Sequence, residues 1–388
     1  MLFKDLDLFI IAAETSADRH GIEIVKTLLK LNPDLKIAGV LGPNLRSLDI
    51  PCLFPMERLQ VMGFFDVLLA LPKILYRFFL LKRILLKIRP KALLFIDYPE
   101  FNLRLEKAIK KAQFKGKIFH HVSPTVWAWA KKRISIMEKG IDELFCIFPF
   151  EKQIFKNTPF NVSYVGHPLF EAIQNYNYDP DFREKYKIPD ESILLAIFPG
   201  SRTKEIKRNL PIQLKTASRL QKEEKSLKIA ISISNEQTKK IIEKILKKQK
   251  IEVLLIPSID SYNLMKYANM AIATSGTVAL ELAFHELPSV ITFGIQLVDL
   301  VIAQKVLKID LPFFCIVNII TQKPTFPELF GPNLTSNKLF YWSKRLMKDS
   351  KYKEEILSTC RQIKLLFEKK SPKEEISKKI LSFLGKDR

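Results

Sequence analysis

The side chains best suited to chemistry fall in a few short segments, each directly after an apolar run. Asp97-Tyr98-Pro99-Glu100 follows the run 92–96. Two carboxylates at the carboxyl end of a strand could supply a general base for a hydroxyl, since partial enclosure raises a carboxylate's basicity. The same pair also suits the start of a helix, and the residues leave both readings open. Pro199-Gly200-Ser201-Arg202 follows the run 193–198. Gly permits close backbone approach, and Arg offers forked donors matched to phosphate. A surface turn fits equally well, and the Gly-x-x-x-x-Gly-Lys spacing of a P-loop is absent. Ser275-Gly276-Thr277 runs into a helix-forming series that reaches Glu281. The free N–H groups of a helix start bind phosphate oxygens, and Glu281 lies one turn deeper on the face of Thr277, where it could accept bonds from ribose hydroxyls. Plain capping with a solvated Glu281 is the competing reading. Finally, His120-His121-Val122-Ser123-Pro124-Thr125-Val126-Trp127-Ala128-Trp129 sets imidazoles, hydroxyls and indoles after another apolar run. The indoles could equally serve the core.

The elements that must position these groups alternate. Short β-rich runs at 8–13, 36–41, 92–96, 117–122 and 143–147 are separated by helical stretches, and a further strand-like run ends near Gly166. After a polar, linker-like stretch at 174–181 the alternation restarts with 193–198, 228–233, 251–256, 270–273 and 289–292. Strand and helix in alternation predict parallel sheets wrapped by helices. At 388 residues the chain exceeds the size at which one core stops growing. The expectation is therefore α/β, with two Rossmann-like domains at 1–170 and 171–350 and terminal helices at 351–388 packing back across them. Such folds place ligands in the cleft at the carboxyl ends of their strands, which proposes a site and not a reaction.

Composition narrows the partners. The chain holds 63 Lys and Arg against 41 Asp and Glu, a formal charge of +22, which favours anionic partners. Clustering decides which. Between Val67 and Ile96 there is no acid, while Lys73, Arg77, Lys82, Arg83 and Lys87 interleave with Leu, Ile and Phe. Cations beside an apolar face suit an anionic membrane surface, although a Rossmann helix also buries such a face. Nucleic acid is not expected, because the cations are diluted by aliphatics rather than stacking aromatics. No run of about 18 uncharged apolar residues occurs, and acids within Met1 to Asp7 argue against an export signal. The dispersed Cys52, Cys146, Cys315 and Cys360 form no metal-ligand or disulfide pattern, so no zinc site is expected and a reducing cytosol fits; no cofactor is expected either.

Taken in order, several pieces resemble one family, the lipid A disaccharide synthases, glycosyltransferases of the GT-B fold with an interdomain cleft. They are Ala13-Glu14-Thr15-Ser16-Ala17-Asp18, Val61-Met62-Gly63, Ile96 to Asn102, Val122 to Trp129, Phe148-Pro149-Phe150-Glu151, Val165-Gly166-His167-Pro168, Pro199 to Arg202, and Ser275 to Glu281. Ala13, Ala17, Asp66 and Glu100 depart from the family's usual residues, and Asn318 lacks the Pro that usually precedes it.

The resemblance implies an inverting transfer of 2,3-diacylglucosamine from UDP to the 6-hydroxyl of 2,3-diacylglucosamine 1-phosphate, on the inner face of the inner membrane with its anionic lipids. It implies Asp97 as base with Glu100 in reserve. Gly200, Ser201, Arg202, Asn235, Ser275, Gly276, Thr277, Glu281, Asn318 and Glu328 would face the UDP donor. Glu14, Ser16, Asp18, Met62, Ser123 and Trp127 would lie on the acceptor side. The alternative is another membrane-surface UDP-sugar transferase, such as the one acting on a peptidoglycan lipid, from which a Gly-rich first loop would be expected.

Overall fold

Uninterrupted apolar runs such as Leu8–Ala12 and Ala92–Ile96 have no polar face to offer water, the pattern of parallel strands covered on both sides. The computed structural model describes residues 5–59, 64–127, 131–249, 251–295, 312–368 and 370–385. Val61-Met62-Gly63 and Ala128-Trp129 lie outside them, and so does the acceptor-side expectation for Met62.

The chain divides into two units. Unit 1 comprises Met1–Pro168 and Lys369–Arg388, and unit 2 comprises Leu169–Glu368. The strands of unit 1 are β1 (Leu8–Ala12), β2 (Ile37–Leu41), β3 (Cys52–Pro55), β4 (Ala92–Ile96), β5 (Lys117–His121), β6 (Glu143–Cys146) and β7 (Asn161–Tyr164). They form a parallel sheet in the order β3-β2-β1-β4-β5-β6-β7. Those of unit 2 are β8 (Ile193–Phe198), β9 (Leu227–Ile233), β10 (Leu254–Pro257), β11 (Met270–Thr274), β12 (Ser289–Phe293) and β13 (Glu328–Phe330). Their order is β10-β9-β8-β11-β12-β13, again parallel throughout.

Strand alternation sorts the core of unit 1 into two layers. Phe9, Ile11, Leu93 and Phe95 pack with Leu81 and Leu85 of the helix Phe64–Ile88 and with Leu105 and Ile109 of Pro99–Lys111. Leu8, Ile10, Leu94 and Ile96 face the other way, onto Ile24, Val25 and Leu28 of Thr15–Leu31 and Ile376, Ile380 and Leu381 of Pro372–Leu384. In unit 2 the helix Thr203–Glu223 buries Ile206, Leu210, Leu214 and Leu220, while Phe284 and Phe367 meet edge to face at 5.1 Å. The polar stretch 174–181 is bonded into unit 2: Tyr176 Oη donates to Ile259 O and Asp179 N to Asn263 Oδ1, each at 2.9 Å.

Both sheets reverse winding direction once, between β1 and β4 in unit 1 and between β8 and β11 in unit 2. At such a reversal the connections after adjacent strands diverge, leaving a crevice where ligands of open α/β sheets bind. Because all strands are parallel, Glu14 and Asp97 flank the first crevice, and Gly200–Arg202 and Ser275–Thr277 flank the second.

Candidate active site

In unit 1 the turn after β4 is held tightly. Asp97 and Tyr98 both adopt left-handed backbone, φ 52° and 51°. Asp tolerates this better than most residues, yet two in succession persist only under restraint. Asn102 supplies it: its Nδ2 donates to Asp97 O at 2.6 Å, while Asp97 N donates to His121 O at 2.8 Å. Tyr98 Oη donates to Leu59 O at 3.1 Å. The Asp97 carboxylate accepts from Ser16 Oγ at 3.3 Å. Glu14, half-buried before the helix Thr15–Leu31, has its carboxyl pushed up by burial and by the charge of Asp97. Glu14, Ser16 and Asp97 are thus brought together, half in water.

Glu100 and Asp18 have other settings. The Glu100 side chain is 64% exposed and is paired with Arg133 and Arg104, so its charge already has cationic partners. Asp18 is fully buried, and its carboxylate accepts from Asn44 N, Asn44 Nδ2 and Leu45 N at 2.8, 2.9 and 3.0 Å. It caps the turn Pro43–Arg46 instead of lining an open surface. A Cβ on Gly42 would fall 2.3 Å from its Cγ, which is why glycine stands there.

Behind Asp97, His120 and His121 enter a polar interior whose other members, Glu106 and His20, sequence reasoning did not single out. His120 Nδ1 and Glu106 Oε1 are 2.6 Å apart, both side chains fully buried. Burial works against the charged imidazole, but the charge and hydrogen bond of Glu106, with Asp97 adding, hold it above its ordinary value. On the opposite face, His20 and His121 are 5.6 Å apart and are pushed down by burial, His121 strongly. His167 is pushed down to about 3 by burial.

Ser123 and Trp127 meet the Glu151 carboxyl. Burial pushes Glu151 up to about 8, against the stabilising effects of Phe148 N, Ser123 and Trp127. Phe148 N donates to it at 3.1 Å, whereas the buried Trp127 Nε1 falls short of full hydrogen-bond geometry. Trp127 also meets Phe150 edge to face at 5.7 Å. The described part of one quoted segment, Val122 to Trp127, therefore forms one structural piece with another, Phe148 to Glu151. The only sequence signal was an acid within the apolar stretch that follows β6.

In unit 2, Gly200 has φ 104°, and a Cβ there would approach Glu205 Oε2 to 2.9 Å. Ser201 and Arg202 are exposed after it, and Arg202 Nη1 donates to Glu205 Oε1 at 2.7 Å. The adjacent strand β11 is followed by Ser275, Gly276 and Thr277, with Gly276 and Thr277 exposed. A Cβ on Gly276 would meet nothing within 4 Å, so another molecule has room to approach its backbone. Glu281 is one turn along the helix Val278–Phe284, its carboxyl pushed up by burial while Tyr262 Oη donates to Oε1 at 3.3 Å.

The other residues expected on the donor side bond within the protein. Asn235 caps the helix Glu236–Leu246, accepting from Thr238 N at 2.9 Å. Asn318 is fully buried and holds both the N–H and the carbonyl of Phe326, at 2.9 and 2.8 Å. Glu328 accepts from Phe314 N and from Cys315 N, the latter at 2.7 Å, just before the helix Ile316–Thr321.

Solved structures with this arrangement define the class. A Staphylococcus aureus MnaA–UDP co-structure aligns with TM-score 0.64 at 13% identity, covering 98% of this chain and 97% of that one. UDP-GlcNAc 2-epimerase from Neisseria meningitidis, bound to UDP-GlcNAc, gives 0.60 at 13% identity over 98% and 99%. Trehalose-6-phosphate synthase OtsA gives 0.56 at 11% identity, covering 97% of this chain and 98% of that one. The fold is GT-B, two Rossmann-like units shared by UDP-sugar epimerases and glycosyltransferases.

Sequence makes the assignment narrower. A family model described as lipid-A-disaccharide synthetase matches residues 8–380, and the chain belongs to that family. Relatives named lipid-A-disaccharide synthase include one from Chlamydia trachomatis serovar D, 35% identical over 92% of this chain. Another, from Methylobacillus flagellatus, is 30% identical over 97% of this chain and 98% of its own length. The chain spans 59% of the length of the Chlamydia trachomatis relative.

Proposed function

We propose that the protein is a lipid A disaccharide synthase, an inverting glycosyltransferase. It moves 2,3-diacylglucosamine from UDP to the 6-hydroxyl of 2,3-diacylglucosamine 1-phosphate, giving the β-linked disaccharide 1-phosphate and UDP. The family match across residues 8–380 carries this reading. The polar groups at the two winding reversals support it.

Asp97 is the base. As the acceptor oxygen bonds to the anomeric carbon, the bond from that carbon to the UDP oxygen breaks, its electron pair leaves with UDP, and the hydroxyl proton passes to Asp97. Ser16 and the clamped turn aim the carboxylate. Negative charge grows on the departing diphosphate, and Arg202 receives it. The Arg202 side chain is 82% exposed and its pair with Glu205 is a surface pair, weak enough to yield to phosphate. Glu281 holds the ribose hydroxyls, and the open backbone at Gly276 admits the diphosphate.

Both sugar substrates carry acyl chains, which places the reaction at a membrane. Leu75, Tyr76 and Phe79 of the helix Phe64–Ile88 are exposed alongside Lys73, Arg83 and Lys87, with Arg77 and Lys82 half-exposed. An apolar ridge with flanking cations suits anionic lipid at the inner face of the inner membrane. Among the described residues no helix is long and apolar enough to cross a membrane.

The test is direct. Purified protein given UDP-2,3-diacylglucosamine and 2,3-diacylglucosamine 1-phosphate in mixed micelles should release UDP and form the disaccharide phosphate. Folded protein that forms no product, or that turns over only with UDP-N-acetylglucosamine, would overturn the reading.

A further inference from the structure

Glu281 has three side-chain torsions, and a carboxylate that must meet two ribose hydroxyls binds better if those torsions are set beforehand. The structure supplies a brace for it. Tyr262, on the helix Ser261–Tyr267, donates its hydroxyl to Glu281 Oε1 at 3.3 Å. The Tyr262 ring is itself held on two sides, edge to face with Tyr176 at 5.1 Å and against His285 at 5.3 Å. Tyr176 meets Tyr178 edge to face at 5.1 Å.

Each of these neighbours is anchored. His285 Nδ1 lies 2.7 Å from Glu281 O, and its Nε2 lies 3.0 Å from Tyr178 Oη. A carbonyl can only accept, so Nδ1 carries the proton, and burial, which pushes this histidine down to about 4, leaves Nε2 to accept from the tyrosine. Asn263 joins the set by donating to Tyr176 Oη at 3.3 Å and accepting from Asp179 N at 2.9 Å. The Tyr262 hydroxyl is not needed for packing, since a phenylalanine at 262 would fill the same space.

We propose that Tyr262 is a positioning residue for nucleotide recognition: its hydroxyl fixes one oxygen of Glu281, leaves the other to the ribose, and ties the segment 176–179 to the same carboxylate. The proposal rests on the reading of Glu281 as the ribose ligand. Tyr262 then decides how strongly the protein distinguishes a ribonucleotide from a deoxyribonucleotide.

The experiment uses the full chain, with UDP and 2′-deoxy-UDP as probes in calorimetry. The Tyr262→Phe variant should weaken UDP roughly three- to tenfold, the range of one lost hydrogen bond, and 2′-deoxy-UDP less than about twofold. The ratio of the two affinities cancels any inactive fraction, and in turnover the donor KM should rise by more than kcat falls. Equal weakening of both probes, or of neither, would overturn the role of Tyr262. Glu281→Gln separates the two levels. If it retains the wild-type ratio, the ribose reading fails. If it abolishes the ratio while Tyr262→Phe does not, only the brace fails.

Discussion

Asp97 sits in left-handed backbone beside a second left-handed residue, a conformation costing about 1–3 kcal/mol per residue for most side chains. Asn adopts it as readily as Asp and can still accept from Ser16, so Asp97→Asn removes the proton acceptor while leaving the turn intact. The expected outcome is a fall in kcat of roughly 10²- to 10⁴-fold with an unchanged thermal midpoint. A near-normal rate would dismiss Asp97 as base. Asp97 and Arg202 stood out in the sequence because each lies just past the end of an apolar run, where polar side chains are few, and Glu281 because it lies one helical turn beyond Thr277 on the same face. Asp18, Asn235 and Asn318 carry the same chemistry, yet the structure gives their atoms to backbone partners. A bond between a side chain and a distant or neighbouring main chain leaves no periodicity to read, so capping and ligand binding look alike in a one-dimensional string. The pair Glu106–His120 was hidden for a related reason: its members are 14 residues apart and meet only when helix and strand stack.

Among the elements, the helix Phe64–Ile88 shows what an acid-free stretch can and cannot reveal. Its burial is divided: Leu81 and Leu85 are fully enclosed, while Tyr76 and Phe79 are 68% and 61% exposed. The basic apolar composition announced both faces at once without saying where one ended. Charge reversal at Arg83 and Lys87, both exposed, should weaken binding to vesicles containing anionic phospholipid by about tenfold at low salt, with the difference shrinking as salt screens it. Equal affinity of variant and parent would remove this helix as the docking element. The central strands were legible to within a residue or so, since β4 and β8 are continuous apolar runs. The edge strands β3 and β13 were not. Cys52–Pro55 is only four residues ending in proline, and Glu328–Phe330 is three, too short for either alternation or a run. The winding reversals that define both crevices are properties of strand order, which no local pattern encodes.

At the scale of the whole molecule, the chain leaves unit 1 after Pro168 and returns to it at Lys369. The returning helix Pro372–Leu384 buries Ile376, Ile380 and Leu381 against Ile24, Val25 and Leu28. Lys379 also pairs with Glu143 at 3.1 Å. Burying three such side chains contributes on the order of 5 kcal/mol, comparable with the net stability of a domain. Ending the chain after Glu368 should therefore speed hydrogen exchange of backbone amides throughout β1, β4 and β5 while leaving those of β8, β9 and β11 unchanged. Uniform acceleration, or none, would contradict the division. The same feature bears on synthesis. Unit 2 is one continuous stretch and can complete its core while still attached to the ribosome, but the strands β1 and β4 must wait for the helix Pro372–Leu384, made after the whole of unit 2. Until that helix is made, one apolar flank of the unit 1 sheet lacks part of its cover, so this protein should depend on chaperones during synthesis more than its folded form suggests.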